Sequence, residues 1–446
     1  MSPAPNRSSK RPILGRLGLL ALLLAGLSTP HAVAQTPGPT LSDKVLAMER
    51  GLEAEFETYF GEDLADVDQA PAEIGQTLAR LQQETGTTPA VLWVMPKDDH
   101  LHLVLITPDG ATVVRDLYDV PLSRLSETVR TYQRQIRLPG NRTYRASARR
   151  LHEWIIEPLE DEFLEAAGVD LLLLCLGDGA RGLPMAALFD GEQYLVEKYS
   201  LAQIPAFNLI KTDYRELQQG QILAMGSAEF ENQMPLPAVP IELNNILWEL
   251  RFARDEATAW EGQSLLNQTF TLRNFNTMLA DQTFDIVHLA THAAFNPGTP
   301  ESSYLQLWDT QLQMNELGSL NWNQPPELLV LSACRTAVGH TGAELGFAGL
   351  ALQSGAKSAV ASFWNVNDIG TMALMSEFYH QLPELPTKSE ALRAAQLGML
   401  KGEIAVEDSE LQLSSRTLPL PETVDTAADL SHPYYWAGFT VIGSPW

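Results

Sequence analysis

The apolar positions change period along the chain. Between Ser42 and Phe60, Val45, Leu46, Leu52, Phe56 and Tyr59 recur at helical spacing, which predicts an amphipathic helix there and a second over Ile74 to Glu84. From Ala90 the runs shorten to "AVLWVM", "HLHLVLIT" and "ATVVRDLYDV", with the turn "PDGA" between the last two, the pattern of β-strands. Helices are predicted over Glu127 to Arg137 and Ala146 to Leu164, ahead of a buried strand in "DLLLLCLGDG". Further strands are expected at 221–226, 285–290, 327–333, 358–363 and 438–442, with helical patterns between most of them. Thr341 with Glu344, and Thr387 with Glu390, have the spacing of helix capping boxes, and Gly355 is placed to end the first of those helices.

Strands alternating with helices imply right-handed crossovers and a largely parallel sheet covered on both faces, so the expected class is α/β. Two stretches stand apart. Residues 36–40 ("TPGPT") read as a linker. Residues 401–430 are acidic, rich in Ser and Thr and without period, which predicts a long loop that is either functional or disordered.

The N-terminus has its own logic. Arg7, Lys10, Arg11 and Arg16 lead into an apolar stretch from Leu17 to Leu27, and Ala32-Val33-Ala34 supplies a small-residue cleavage site. These are the parts of a secretory signal peptide over residues 1–34; a membrane span would need about 20 apolar residues. The mature chain is therefore expected to be exported, periplasmic or extracellular, with no membrane span after cleavage. Its loss removes four cations and no anion, taking the formal charge from -25 to -29. Nucleic acid and anionic membranes are poor partners for such a chain. The remainder exceeds what one compact core usually holds, so two subdomains are expected. With Cys175 and Cys334 alone, a disulfide framework is excluded, although one bridge between them stays open.

Two motifs promise chemistry that their context withdraws. "GDGARG" (177–182) matches a dinucleotide fingerprint, but Pro184 and the turn "FDG" leave no room for the helix that would hold a pyrophosphate. "HLATH" (288–292) spaces two histidines as zinc peptidases do, yet on a strand they stand about 13 Å apart, too far for one ion. No cofactor and no metal are expected, and His288 reads as a satisfied core histidine. His292 and Cys334 are different. Each ends an apolar strand, and in an open α/β sheet the carboxyl ends of neighbouring strands form the crevice where chemistry sits. An imidazole beside a thiol takes its proton and makes it a nucleophile, and the backbone N–H groups of Ala293 and Cys334 are candidates to receive an oxyanion. Spacing identifies no third residue to orient His292.

These residues lie in runs that resemble the CHAT domain proteins, peptidases of the caspase and separase clan. The runs are "HLATHAAF" (288–295), "SSYLQLWD" (302–309), "LLVLSACRTA" (328–337), "GFAGLALQSGAKSAVASFWNVND" (346–368), "EFYHQL" (377–382), "EALRAAQ" (390–396) and "HPYYWAGFTVIG" (432–443). Upstream, "GLPMAALFDGEQYLVEKYSLAQIPA" (182–206) and "MPLPAVPIELNNI" (234–246) resemble the non-catalytic half of that domain. The resemblance runs from roughly residue 90 to the end. It implies a caspase-like three-layer fold with a mainly parallel sheet, preceded by a smaller non-catalytic α/β subdomain. Residues 35–88 would be linker and N-terminal helices, 89–215 the non-catalytic half and 216–446 the catalytic half. It further implies a cysteine endopeptidase acting on protein or peptide substrates through a Cys334 thioester, with His292 as general base. Arg335, Trp364 and Asp368 become substrate-cleft candidates. Two positions depart from the family: Ala293 stands where glycine is usual, and Arg335 where an acidic residue is common. Alanine at a positive φ would cost about 1–2 kcal/mol. These departures motivate an alternative, a catalytically silent module serving as an interaction scaffold.

Overall fold

The computed structural model describes residues 40–64, 68–251, 260–336, 340–420 and 428–446, with the backbone alone at 334 and 335. The expected signal peptide and residues 35–39 of the linker lie outside the described residues. Thr40 caps α1 (Leu41–Phe60) with a reciprocal bond to Asp43, and Gly61 ends it in the left-handed conformation. Val45, Leu52 and Phe56 bury one face of α1, and the buried Glu49 carboxylate accepts N–H groups from Trp93, Phe207 and Asn208, tying the helix to the sheet. After α2 (Pro71–Thr85) come the antiparallel strands β1 (Pro89–Pro96), β2 (Leu101–Ile106) and β3 (Thr112–Leu117). Then follow α3 (Leu122–Ile136), α4 (Tyr144–Ile155), β4 (Leu171–Leu176), α5 (Leu195–Lys198) and β5 (Ser200–Ile204). The helix expected to reach Leu164 stops at Ile155, because Pro158 lacks the N–H its continuation needs.

The second half runs β6 (Gln221–Gly226), α6 (Val239–Arg251), β7 (Glu261–Leu266), α7 (Leu272–Asp281) and β8 (Ile286–Phe295). A hairpin, β9 (Tyr304–Gln306) and β10 (Gln311–Gln313), precedes β11 (Leu328–Thr336), α8 (Thr341–Ala348), α9 (Leu350–Ser354) and β12 (Ser358–Ser362). The chain closes with α10 (Asp368–Gln381), α11 (Lys388–Leu400), three short strands β13 (Ala405–Glu407), β14 (Glu410–Gln412) and β15 (Thr417–Pro419), and finally β16 (Phe439–Gly443).

Thirteen strands form one mixed, mainly parallel sheet in the order β10-β9-β8-β11-β12-β16-β5-β4-β1-β2-β3, with β6 beside β8 and β7 outside β6. The protein is thus α/β, as its alternating pattern predicts. β16 lies antiparallel to β12 and parallel to β5, so one sheet runs across residue 215. From β6 the chain crosses outward to β7 through α6, and from β11 it crosses the opposite way to β12 through α8 and α9. Right-handed crossovers in opposite directions place these helices on opposite faces. α10 packs with α6 and with α11, while α1 packs with α8. No described helix is long and apolar enough to cross a membrane.

Two expectations need correction. Thr341 does not cap its helix: His340 holds that position, and the Thr341 hydroxyl donates instead to Asp178 Oδ1 at 2.9 Å. Thr387 does cap α11, accepting from the Glu390 N–H, and Gly355 ends α9 at φ 70°. Within 401–430, residues 405–419 form an antiparallel meander rather than an unstructured loop. Ile404, Leu411 and Leu418 bury its inner side, and Asp408 and Ser409 make its first turn at positive φ. Residues 421–427 lie outside the described residues.

Candidate active site

His292 stands where β8 changes neighbours. On one edge, β6 pairs with β8 up to Gly226 opposite Ala290, and β9 takes over at Leu305 opposite Ala293. Between them the chain leaving β6 crosses over His292 as the segment 227–238. This segment is held by its own bonds: Leu236 N–H donates to Ala228 O at 2.9 Å, and Asn267 Oδ1 accepts the Ala228 N–H at 2.8 Å. Gly226 lets it leave the sheet, since a Cβ there would lie 2.6 Å from the Ala290 oxygen.

The segment supplies what spacing does not show, a group that orients the imidazole. His292 Nε2 lies 2.8 Å from the carbonyl oxygen of Met234, and a carbonyl only accepts, so Nε2 carries the proton. In the neutral ring Nδ1 is then the free base. The Phe230 ring packs against the imidazole with centroids 4.6 Å apart. A carbonyl has no residue-type signature, which is why this partner is invisible to motif reading.

The strands extend beyond the ends expected for them, and the register shifts. β8 runs three residues past His292 because β9 gives Ala293 and Ala294 a second partner, and β11 runs to Thr336. From Leu331 opposite Leu289, a regular ladder would bring Cys334 opposite His292. An extra residue in β8 intervenes, so His292 pairs with Ala333 and Cys334 with Ala293. Ala293 is buried between β11 and β9, in a strand conformation without positive φ, which removes the strain expected of alanine there. Cys334 has β8 on one edge. On the other, β11 pairs with β12 over Leu328–Val330, and farther along the Thr336 hydroxyl donates to Ser362 O at 3.3 Å.

Cys175 lies in β4, four strand positions from β11, or about 19 Å, whereas a disulfide needs Cα atoms within about 7 Å. The bridge left open by composition is therefore excluded. Burial raises the Cys175 thiol well above its ordinary pKa, consistent with a core residue.

The three cleft candidates separate. The side chain of Arg335 lies outside the described residues. Trp364 is 4% exposed, its indole N–H donating to Tyr434 O at 2.9 Å, so it is packed structure rather than open cleft lining. Asp368 accepts the Ala238 N–H at 2.6 Å and so anchors the segment carrying Met234. Burial raises the Asp368 carboxyl from 3.8 to about 6; the Ala238 bond opposes this and nearby Glu242 adds to it. The stability linked to this group is complete below about pH 4 and is lost as pH rises through about 6. Asp368→Asn is expected to remove that slope, read as the difference in urea midpoints between about pH 4.5 and about pH 7.

A cavity of about 400 Å³ opens between α3 and His340, the residue before α8. Arg130, Arg134 and Arg137 line it from one face of α3, with Glu127 and with His340 at the start of α8. The Arg137 guanidinium lies over the Trp364 ring at 5.7 Å, and its Nε and Nη2 are buried without a hydrogen-bond partner among the described residues. Three arginines in one cavity of so acidic a chain mark it as a place for negative charge.

No curated protein matches the sequence. Among solved structures the fold is similar to Saccharomyces cerevisiae separase in its complex with securin, with TM-score 0.46 and 9% identity over 85% of this chain and 32% of that one. The chain therefore spans about a third of that separase chain. It is also similar to the complex of the pro- and mature domains of Porphyromonas gingivalis RgpB, with TM-score 0.40 and 13% identity over 80% of this chain and 78% of that one. The family model for the CHAT domain matches residues 145–444, from the start of α4 through β16, and the chain accordingly belongs to the CHAT domain family.

Proposed function

We propose that this protein is an exported cysteine endopeptidase. The observation that carries the reading is the orientation of His292, whose Nε2–H is held by Met234 O beside the strand that bears Cys334. In this mechanism Nδ1 takes the Cys334 proton and the thiolate adds to a peptide carbonyl. The Cys334 backbone N–H, beyond the Leu328–Val330 stretch of β11 that pairs with β12, replaces Ala293 as the expected oxyanion donor. Collapse breaks the C–N bond, and the imidazolium returns its proton to the departing amine. Water, deprotonated by His292, then cleaves the thioester and restores the thiol. The arginine-lined cavity suits an acidic side chain on the substrate. Export rests on the segment 1–34.

The register favours the second reading, a silent scaffold: in the shifted register His292 shares its face with Ala333, the residue before Cys334. Peptide probes bearing a thiol-reactive acyloxymethyl ketone decide between them. Labelling at Cys334 that is lost in His292→Ala supports the peptidase, with acidic probes reacting at least tenfold faster than basic ones in wild type and not in Arg137→Gln. Labelling of equal rate in His292→Ala would leave the scaffold.

A further inference from the structure

A second cluster of chemistry-bearing side chains lies far from His292. β3 is the free edge of the sheet, eight strand positions from β8, or about 38 Å. His100, in the turn between β1 and β2, and His102, in β2, stand two residues apart, and Asp116 of β3 is the register partner of His102. One nitrogen from each histidine and one Asp116 oxygen all lie within 4.8 Å of one another. His102 Nδ1 is 2.5 Å from Asp116 Oδ1, and His100 Nε2 is 3.5 Å from the same oxygen.

His100 is oriented from behind. Its Nδ1 donates to Asp99 Oδ1 at 2.7 Å, which leaves Nε2 of the neutral ring as a bare lone pair aimed at a carboxylate oxygen. Two acceptors facing each other at that distance need a positive charge between them. A carboxylate holding the outer nitrogen of an imidazole whose inner nitrogen meets a cation is a recurrent second layer of zinc sites. With bonds of about 2.0–2.2 Å, tetrahedral donors stand about 3.3 Å apart. The 3.5 Å pair already has that spacing, and the 2.5 Å pair must open by less than about 1 Å.

We propose that His100, His102 and Asp116 bind one zinc ion, with Asp99 positioning His100 and the fourth coordination place open to water. Two imidazoles with one carboxylate select zinc over calcium or magnesium, which take oxygen donors. The ion would cross-link β2 to the edge strand β3, whose outer side has no strand partner among the described residues, and so clamp the sheet where it is least supported. Its distance from His292 keeps it apart from the proposed peptidase chemistry.

The test uses the full chain, stripped with a chelator, dialysed and titrated with zinc chloride by isothermal titration calorimetry, alongside thermal melts. One equivalent is expected to bind in wild type and raise the melting temperature. His102→Ala or Asp116→Ala should weaken binding more than 100-fold, and Asp99→Asn by about 10- to 100-fold. All four side chains are at least partly exposed, and Asp99→Asn keeps both imidazoles, so folding of each variant can be verified by circular dichroism. Zinc binding of equal strength in wild type and in folded His102→Ala, or none in wild type, overturns the proposal and leaves a hydrogen-bonded cluster.

Discussion

His292→Ala is expected to lower peptide hydrolysis by about 10³- to 10⁴-fold while leaving the denaturation midpoint where it was. The size follows from the role: a positioned general base contributes up to about four orders of magnitude, and without one a thiol is only a few per cent ionised near neutral pH. The unchanged stability follows from the surroundings, since the imidazole is only partly buried and, among the described residues, it meets one backbone carbonyl and the tilted ring of Phe230. The Met234 carbonyl left behind lies on an exposed residue where water can take the place of the ring. Steady-state kinetics on a peptide cleaved by the wild type, across pH, would check it. Loss of the limb that reports the base is the specific signature, and full turnover in the variant would sink the mechanism.

His288→Ala should do the reverse, destabilising the protein by about 3–5 kcal/mol with little change in activity per folded molecule. His288 is fully buried, Nε2 lying 3.0 Å from Glu242 Oε1 and Nδ1 3.1 Å from the Tyr379 hydroxyl. Tyr379 also stacks edge-on against the ring at 5.6 Å. Removing the imidazole leaves the Glu242 carboxyl, 1% exposed, without the ring nitrogen that bonds it and opens a cavity between α6, α10 and β8. Urea denaturation would show it as a lowered midpoint. A midpoint equal to wild type would mean that water or a side-chain shift satisfies Glu242, and that the pair is not what joins these helices to the sheet. Two histidines four residues apart on one strand thus have opposite assignments, one in the core and one at the changeover between β6 and β9.

The peptidase reading and the zinc site make independent demands. If zinc binds at the β2–β3 edge and no probe reaches Cys334, the chain keeps its metal clamp and loses its proposed activity. The converse result retires the clamp and leaves the mechanism as it stands.

Most of the fold was legible because its causes are local. A continuous apolar run such as "LLLLCL", short and ended by the turn residues "GDG", fits a strand covered on both faces, and Thr387 with Glu390 marks a helix start. The reading failed where a tertiary partner changed the local preference. β9 lengthened β8 past His292, Asp178 drew the Thr341 hydroxyl away from its cap, and a buried stripe of Ile404, Leu411 and Leu418 ordered a segment whose composition looked unstructured.

For the site, the sequence by itself determined the residue types and their neighbourhood: a thiol and an imidazole near the carboxyl ends of two strands that prove adjacent and parallel. Only the tertiary structure decided the register between them, the carbonyl that sets the imidazole's proton, and the convergence of His100, His102 and Asp116. Side-chain identity and period are properties of a few consecutive residues. A one-residue bulge, a backbone oxygen 58 residues away and a cross-strand carboxylate depend on how distant segments meet, which no local pattern encodes.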